Sequence, residues 1–183
     1  MTLIGTLFLL IAAGALLVFW ALGAHNRLVA LRNTIIAAWA QVDEPLQRRS
    51  AALLPLVAAL RSHLSDEAGA LDAVLAAQTQ LQSAADALRA RPAQAPRAAA
   101  MVAAEATLQA TLSRLLALLE QRRDLAGAAD TAPHVAALRD SSRRLAFARQ
   151  LFNDAVVSYN EAAHQFPTRL LSSLFGFGAA GTL

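Results

Sequence analysis

The chain has no cysteine, six prolines, eight glycines and, in 183 residues, only seven Phe, two Trp and one Tyr. Without cysteine, neither a disulfide framework nor a thiolate metal site can form, and usage of that residue reveals nothing about redox compartment. Lysine is absent as well, so the calculated pI of 10.9 comes from arginine against a formal charge of only +3. That pI overstates the basicity of the surface and is poor ground for a nucleic-acid partner. Scarce glycine and proline, and few β-branched residues beyond Val57, disfavour strand-rich architectures. What dominates instead is Ala and Leu, which are helix formers.

Chemical signatures are missing too. No Gly-rich phosphate loop, nucleophile elbow or HExxH run occurs. His25, His63, His134 and His164 are the only imidazoles, and none has another at the i+3 or i+4 spacing of a helical ligand pair. His63 beside Asp66 and Glu67 is the best local metal cluster, but it falls at a helix junction, where capping or solvation is the simpler role. Asp43 and Glu44 are adjacent, so they point about 100° apart on a helix and cannot act as a facing carboxylate pair. No enzyme activity, metal or cofactor is expected.

What is present begins with Thr2 to Leu22, an apolar run without charge, including Phe8 and Leu16. At about 1.5 Å per residue such a run matches the roughly 30 Å hydrocarbon core of a bilayer. A secretory leader would carry positive charge ahead of the run, and here charge follows it, which favours a retained anchor; Ala21-Leu22-Gly23 is the cleavage site the alternative would use. Arg27 and Arg32 flank the C-terminal end of the span. They predict headgroup contact, each worth about 1 kcal/mol near an anionic surface, and by the positive-inside rule they place the following domain in the cytoplasm.

After Gly23 the apolar pattern becomes periodic. Leu28, Ile35, Val42 and Leu56 recur at multiples of seven, with Trp39, Leu46, Leu53 and Leu60 as the alternate row. One long helix is expected, running on from the anchor, bent rather than ended by Pro45 and Pro55. Arg49 occupies a seam position, and the expectation is that it reaches out along its aliphatic stem. A break is expected over residues 62–67, with Ser65 capping a second helix and Asp66 and Glu67 in its first turn. Leu71, Val74, Leu75, Leu81 and Leu88 mark its stripe. Residues 89–97, with Pro92 and Pro96, form a turn. Met101, Leu108, Leu112, Leu115 and Leu119 define a third helix. A loop over residues 127–133 follows, with Asp130 or Thr131 as the next cap. In the fourth helix Leu138, Leu145, Phe152, Tyr159 and Phe166 are spaced by seven, beside a small row of Ala148, Ala155 and Ala162.

The expected fold is all-α: a transmembrane anchor over residues 1–24 continuing into an antiparallel up-and-down four-helix bundle over residues 25–167, ended by Pro167. An apolar tail over residues 168–183 follows, carrying Leu171, Leu174, Phe175 and Phe177. Coiled-coil-like seams are implied by the heptad rows.

Two blocks are more specific. Residues 146–167, AFARQLFNDAVVSYNEAAHQFP, followed by Phe175-Gly176-Phe177, resemble the C-terminal signature of the LemA family. Residues 28–57, LVALRNTIIAAWAQVDEPLQRRSALLPLV, are similar to that family's opening block after its membrane anchor. The resemblance implies a membrane-anchored long-helix bundle, with relatives implicated in bacterial membrane and magnetosome-compartment organisation, and it brings no enzymatic role. Ser142, Arg143, Arg144 and Leu56 depart from the family's usual residues, as in a divergent member.

Within the signature, Arg149, Asn153, Asp154, Tyr159 and Asn160 are the polar residues. They serve either to fix the register of the bundle or as a partner face. Three functional readings follow: a self-associating scaffold at the bacterial cytoplasmic membrane, an adaptor for a membrane protease or other integral membrane protein, and, weakest, a hydrolase with an interhelical metal. The expected partners are the lipid membrane, further copies of the chain and an integral membrane protein, with no nucleic acid. Gly5 and Ala12 lie seven apart, so close dimerisation through small residues of the span is not expected.

Overall fold

The computed structural model describes residues 3–166, 168–169 and 176–183. Thr2, at the start of the expected span, and Pro167, Leu170, Leu171, Leu174 and Phe175 lie outside the described residues. Among the described residues five helices follow in order: α1 (Leu3–Leu60), α2 (Ala68–Ala90), α3 (Ala95–Gln121), the single turn α4 (Arg123–Ala126) and α5 (Ala132–His164). Among the described residues there is no strand.

The apolar N-terminal run and the first bundle helix are one element. α1 runs unbroken for 58 residues, about 87 Å at the helical rise. Pro45 and Pro55 lie inside it and do not end it. Each removes one backbone donor, while the flanking Val42, Leu46, Leu53 and Leu56 are all buried and keep the helix seated on its neighbours. The two parts of α1 differ in surroundings. Leu7 to Val18 are exposed, whereas both heptad rows from Leu28 to Leu60 are buried in one core.

α1 packs chiefly along α5, and α2 along α3, giving two antiparallel pairs that close into a bundle. Trp39 meets Phe152 edge-on, ring centroids 6.2 Å apart, a geometry aromatic quadrupoles favour. The small row Ala148, Ala155 and Ala162 is buried, which lets α5 approach closely. α3 is also long and apolar enough to cross a membrane. Its apolar stripe, Met101, Leu108, Leu112, Leu115 and Leu119, is spent on the core.

Four expectations need correction. Arg49 does not reach out of the seam; it is 1% exposed, because a carboxylate on α3 meets it. Ser65 does not cap α2: the helix starts at Ala68 with Glu67 in the cap position and no side-chain cap bond, so Asp66 and Glu67 precede the first turn. Thr131 stands at the N-cap of α5 but makes no cap bond; its buried hydroxyl donates back to the carbonyls of Leu125 and Ala128, tying down the α4 turn. Phe166 leaves the sevenfold row. α5 ends at His164, and Phe166 is 82% exposed beyond it.

Candidate functional site

The signature residues of α5 hold a length of the chain's own tail. Asn160 donates from Nδ2 to the carbonyl of Ala180 and accepts at Oδ1 from the Ala180 amide, both at 2.9 Å. Asn153 treats Leu183 the same way, at 2.9 Å to its carbonyl and 2.7 Å from its amide. Each carboxamide thus satisfies both backbone groups of one residue, as a neighbouring strand would. The Tyr159 hydroxyl donates to the Gly178 carbonyl at 3.0 Å. Burial pushes that hydroxyl above its ordinary pKa, against the opposing charge of Arg32, so it stays protonated and able to donate.

The spacing explains the fit. Asn153 and Asn160 are seven residues apart, about 10.5 Å along a helix. Residues 180 and 183 are three apart, about 10 Å in a near-extended chain. The tail therefore runs antiparallel to α5, in register with two helical turns. It also touches the other pair of helices. A Cβ at Gly181 would stand 2.8 Å from the Ala95 Cα and 2.9 Å from the Ala98 Cβ, so only glycine passes the start of α3. Ala180 is buried, and Phe177 meets His25 of α1 edge-on at 5.4 Å between ring centroids. Leu183 closes a pocket of about 10 Å³ with Val42, Met101, Glu105, Leu145 and Arg149, a space no larger than one water.

Behind that pocket lies the one buried ion pair among the described residues. Arg49 Nη1 donates to Glu105 Oε1 at 2.7 Å, Arg49 Nη2 donates to Oε2, and Gln109 Nε2 donates to Oε1 at 3.0 Å. Burial pushes the Glu105 carboxyl up. The bond and charge of Arg49, the bond from Gln109 and the charge of Arg149 outweigh burial, and its pKa is lowered from the ordinary 4.5. The ionised form is thus favoured by folding, so its stabilisation is complete above about pH 4.5 and is lost as pH falls through the depressed folded value. The exposed Asp140 is likewise held below its ordinary value, by Arg144 and then Arg143, so acid acts on more than one carboxylate. The test is therefore the difference between the wild type and Glu105→Gln in urea midpoint from pH 7 to pH 3. That difference should shrink below pH 4.5; a constant difference would assign the acid sensitivity elsewhere.

The remaining candidates sort simply. Asp154 accepts from Gln150 on the exposed side of α5, away from the tail. Arg27 and Arg32 are exposed on α1, and Arg32 borders a cleft with Gln94, Pro96, Tyr159 and Gly178. Asp43 and Glu44 point apart: Asp43 accepts from Arg89 and Gln47, Glu44 pairs with Arg48. His63 is exposed, and no three His, Asp or Glu side chains among the described residues converge as a metal site. Sequence reasoning missed Glu105 and the role of residues 178–183. Glu105 had a signal, since it stands on the buried stripe of α3 between Met101 and Leu108.

The arrangement holds main-chain groups of residues 178–183 with the carboxamides of Asn153 and Asn160 and the Tyr159 hydroxyl. The fold defines an all-α bundle continuous with a long apolar N-terminal helix and strapped by its own C-terminal segment. Residues 38–183 match the sequence model of the LemA family, and the chain belongs to that family. No curated protein matches it.

Proposed function

We propose that the protein is a single-pass structural protein of the bacterial cytoplasmic membrane, with its bundle on the cytoplasmic side, acting by self-association and helix-mediated protein contacts rather than by catalysis or nucleic-acid binding. The observation that carries this reading is the continuity of α1. Phe8, Leu10, Leu16 and Phe19 are each about 70% exposed on the same helix whose later rows build the core. So much apolar surface calls for lipid, and a continuous helix fixes the bundle's attitude to it. Arg27 and Arg32 suit the cytoplasmic headgroup layer.

Protease digestion tests the topology. The bundle should be cut in inverted vesicles and protected in spheroplasts; protection in inverted vesicles would place it on the other side. Light scattering in detergent tests self-association, which a strictly monomeric protein at every concentration would remove.

An adaptor is the second reading, favoured by a cleft between α1 and α5. Phe147, 68% exposed, and Leu151 line it with Pro45, Arg143 and Arg144. A photocrosslinking residue at position 147 should then capture one dominant membrane protein. A ladder of self-products favours the scaffold.

A further inference from the structure

The recognition of residues 178–183 has two properties that do not depend on their being joined to the bundle that holds them. Four of the five polar bonds are made by Asn153 and Asn160 to main-chain groups. The fit at Gly181, tight against the Ala95 backbone, selects this segment over one carrying a side chain there. Arg169 donates from its amide to the Gln165 carbonyl at 2.9 Å, a helical turn beyond α5, and six residues, 170–175, then lead to Gly176, a contour of at most about 25 Å. That reach is about twice the 10–12 Å width of a helix.

We propose that the groove of α5 and the start of α3 is an acceptor site for residues 178–183 of a second copy, so that anchored copies link by exchanging tails. This inference rests on the self-association reading above and gives it a site. Exchange replaces each contact with its identical counterpart, so no new complementarity is required. Copies anchored in one membrane with one orientation carry their grooves at the same height, within reach of a neighbour's tail. The balance between own and exchanged tail then follows local density. A short tether presents its own segment at an effective concentration on the order of millimolar, which dense packing in a membrane patch can rival.

Two full-length variants test this by complementation. Gly181→Val breaks the tail and leaves the groove; the double variant Asn153→Ala, Asn160→Ala breaks the groove and leaves the tail. Each alone should be monomeric by light scattering in detergent. Differently tagged and co-expressed, they should co-purify at least tenfold above either variant paired with itself, since only the mixture contains an intact tail and groove. Self-association of either variant alone at the wild-type level, or no co-purification while the wild type does associate, overturns the exchange and leaves the broader reading standing. A wild type that gives no crosslinked self-products when packed densely in vesicles removes the broader reading and this one with it. Should the groove variant not fold, a fluorescein-labelled peptide of residues 176–183 titrated into the Gly181→Val chain supplies the second measurement. Saturable anisotropy, lost with single Asn160→Ala, supports the acceptor site; no binding overturns it.

Discussion

Replacing Arg49 with alanine will lower the unfolding free energy by about 3–5 kcal/mol, the cost of leaving a buried charge without its partner. Glu105→Ala should cost a similar amount for the same reason. Arg49 is 1% exposed and Glu105 6%, and Gln109 is the other side chain bonded to the carboxylate, so water cannot easily compensate. The informative comparison is the double variant Arg49→Met, Glu105→Leu. Replacing a buried pair by apolar residues of similar volume is often neutral or stabilising by about 1–4 kcal/mol, so it should recover most of what either single change loses. Urea unfolding in detergent, followed by circular dichroism, reads both. A single variant costing under about 1 kcal/mol would mean that the pair behaves like an exposed one. Because the two residues lie on α1 and α3, the pair also fixes how one helix pair sits on the other.

Phe152→Ala should cost about 3–5 kcal/mol, as expected for removing a fully buried aromatic. Phe152 is 0% exposed and meets Trp39 across the α1–α5 interface. The loss has an optical signature: with Trp20 changed to Phe, the remaining Trp39 should emit at longer wavelength once its edge-on neighbour is gone. An unchanged spectrum would show that the helices collapse to refill the site. The variant should leave the tail clamp intact, since Asn153 and Asn160 project to the tail rather than to α1.

The sequence made the fold readable because its signals were redundant. The apolar run, the rows from Leu28 to Leu60 and the alanines at 148, 155 and 162 each pointed to the same helices, and packing had no reason to override them. Helix ends were less readable. Ser65 and Thr131 are good capping residues, yet α2 starts three residues after Ser65 and Thr131 turns its hydroxyl back to Leu125, because the loops are shaped by what they pack on. The place of Arg49 does not follow from its own helix alone, because its partner stands on α3. An arginine in one seam and a glutamate in another, Glu105, are each anomalous, and together they predict one another. Asn153 and Asn160 stood out as polar residues, but that they meet residues 180 and 183 follows from a chain reversal after His164, which no local pattern encodes.

The length of α1 has a mechanical consequence. From Leu22 to Leu60 the helix extends about 57 Å at the helical rise, and helices that cross bilayers tilt by about 20° on average, more where the bilayer is thin. A change in tilt of about 10° therefore sweeps the Leu60 end sideways by roughly 10 Å. On the proposed reading of α1 as a membrane anchor, the bundle is a lever arm, and local bilayer thickness would set how far apart the tips of neighbouring copies stand.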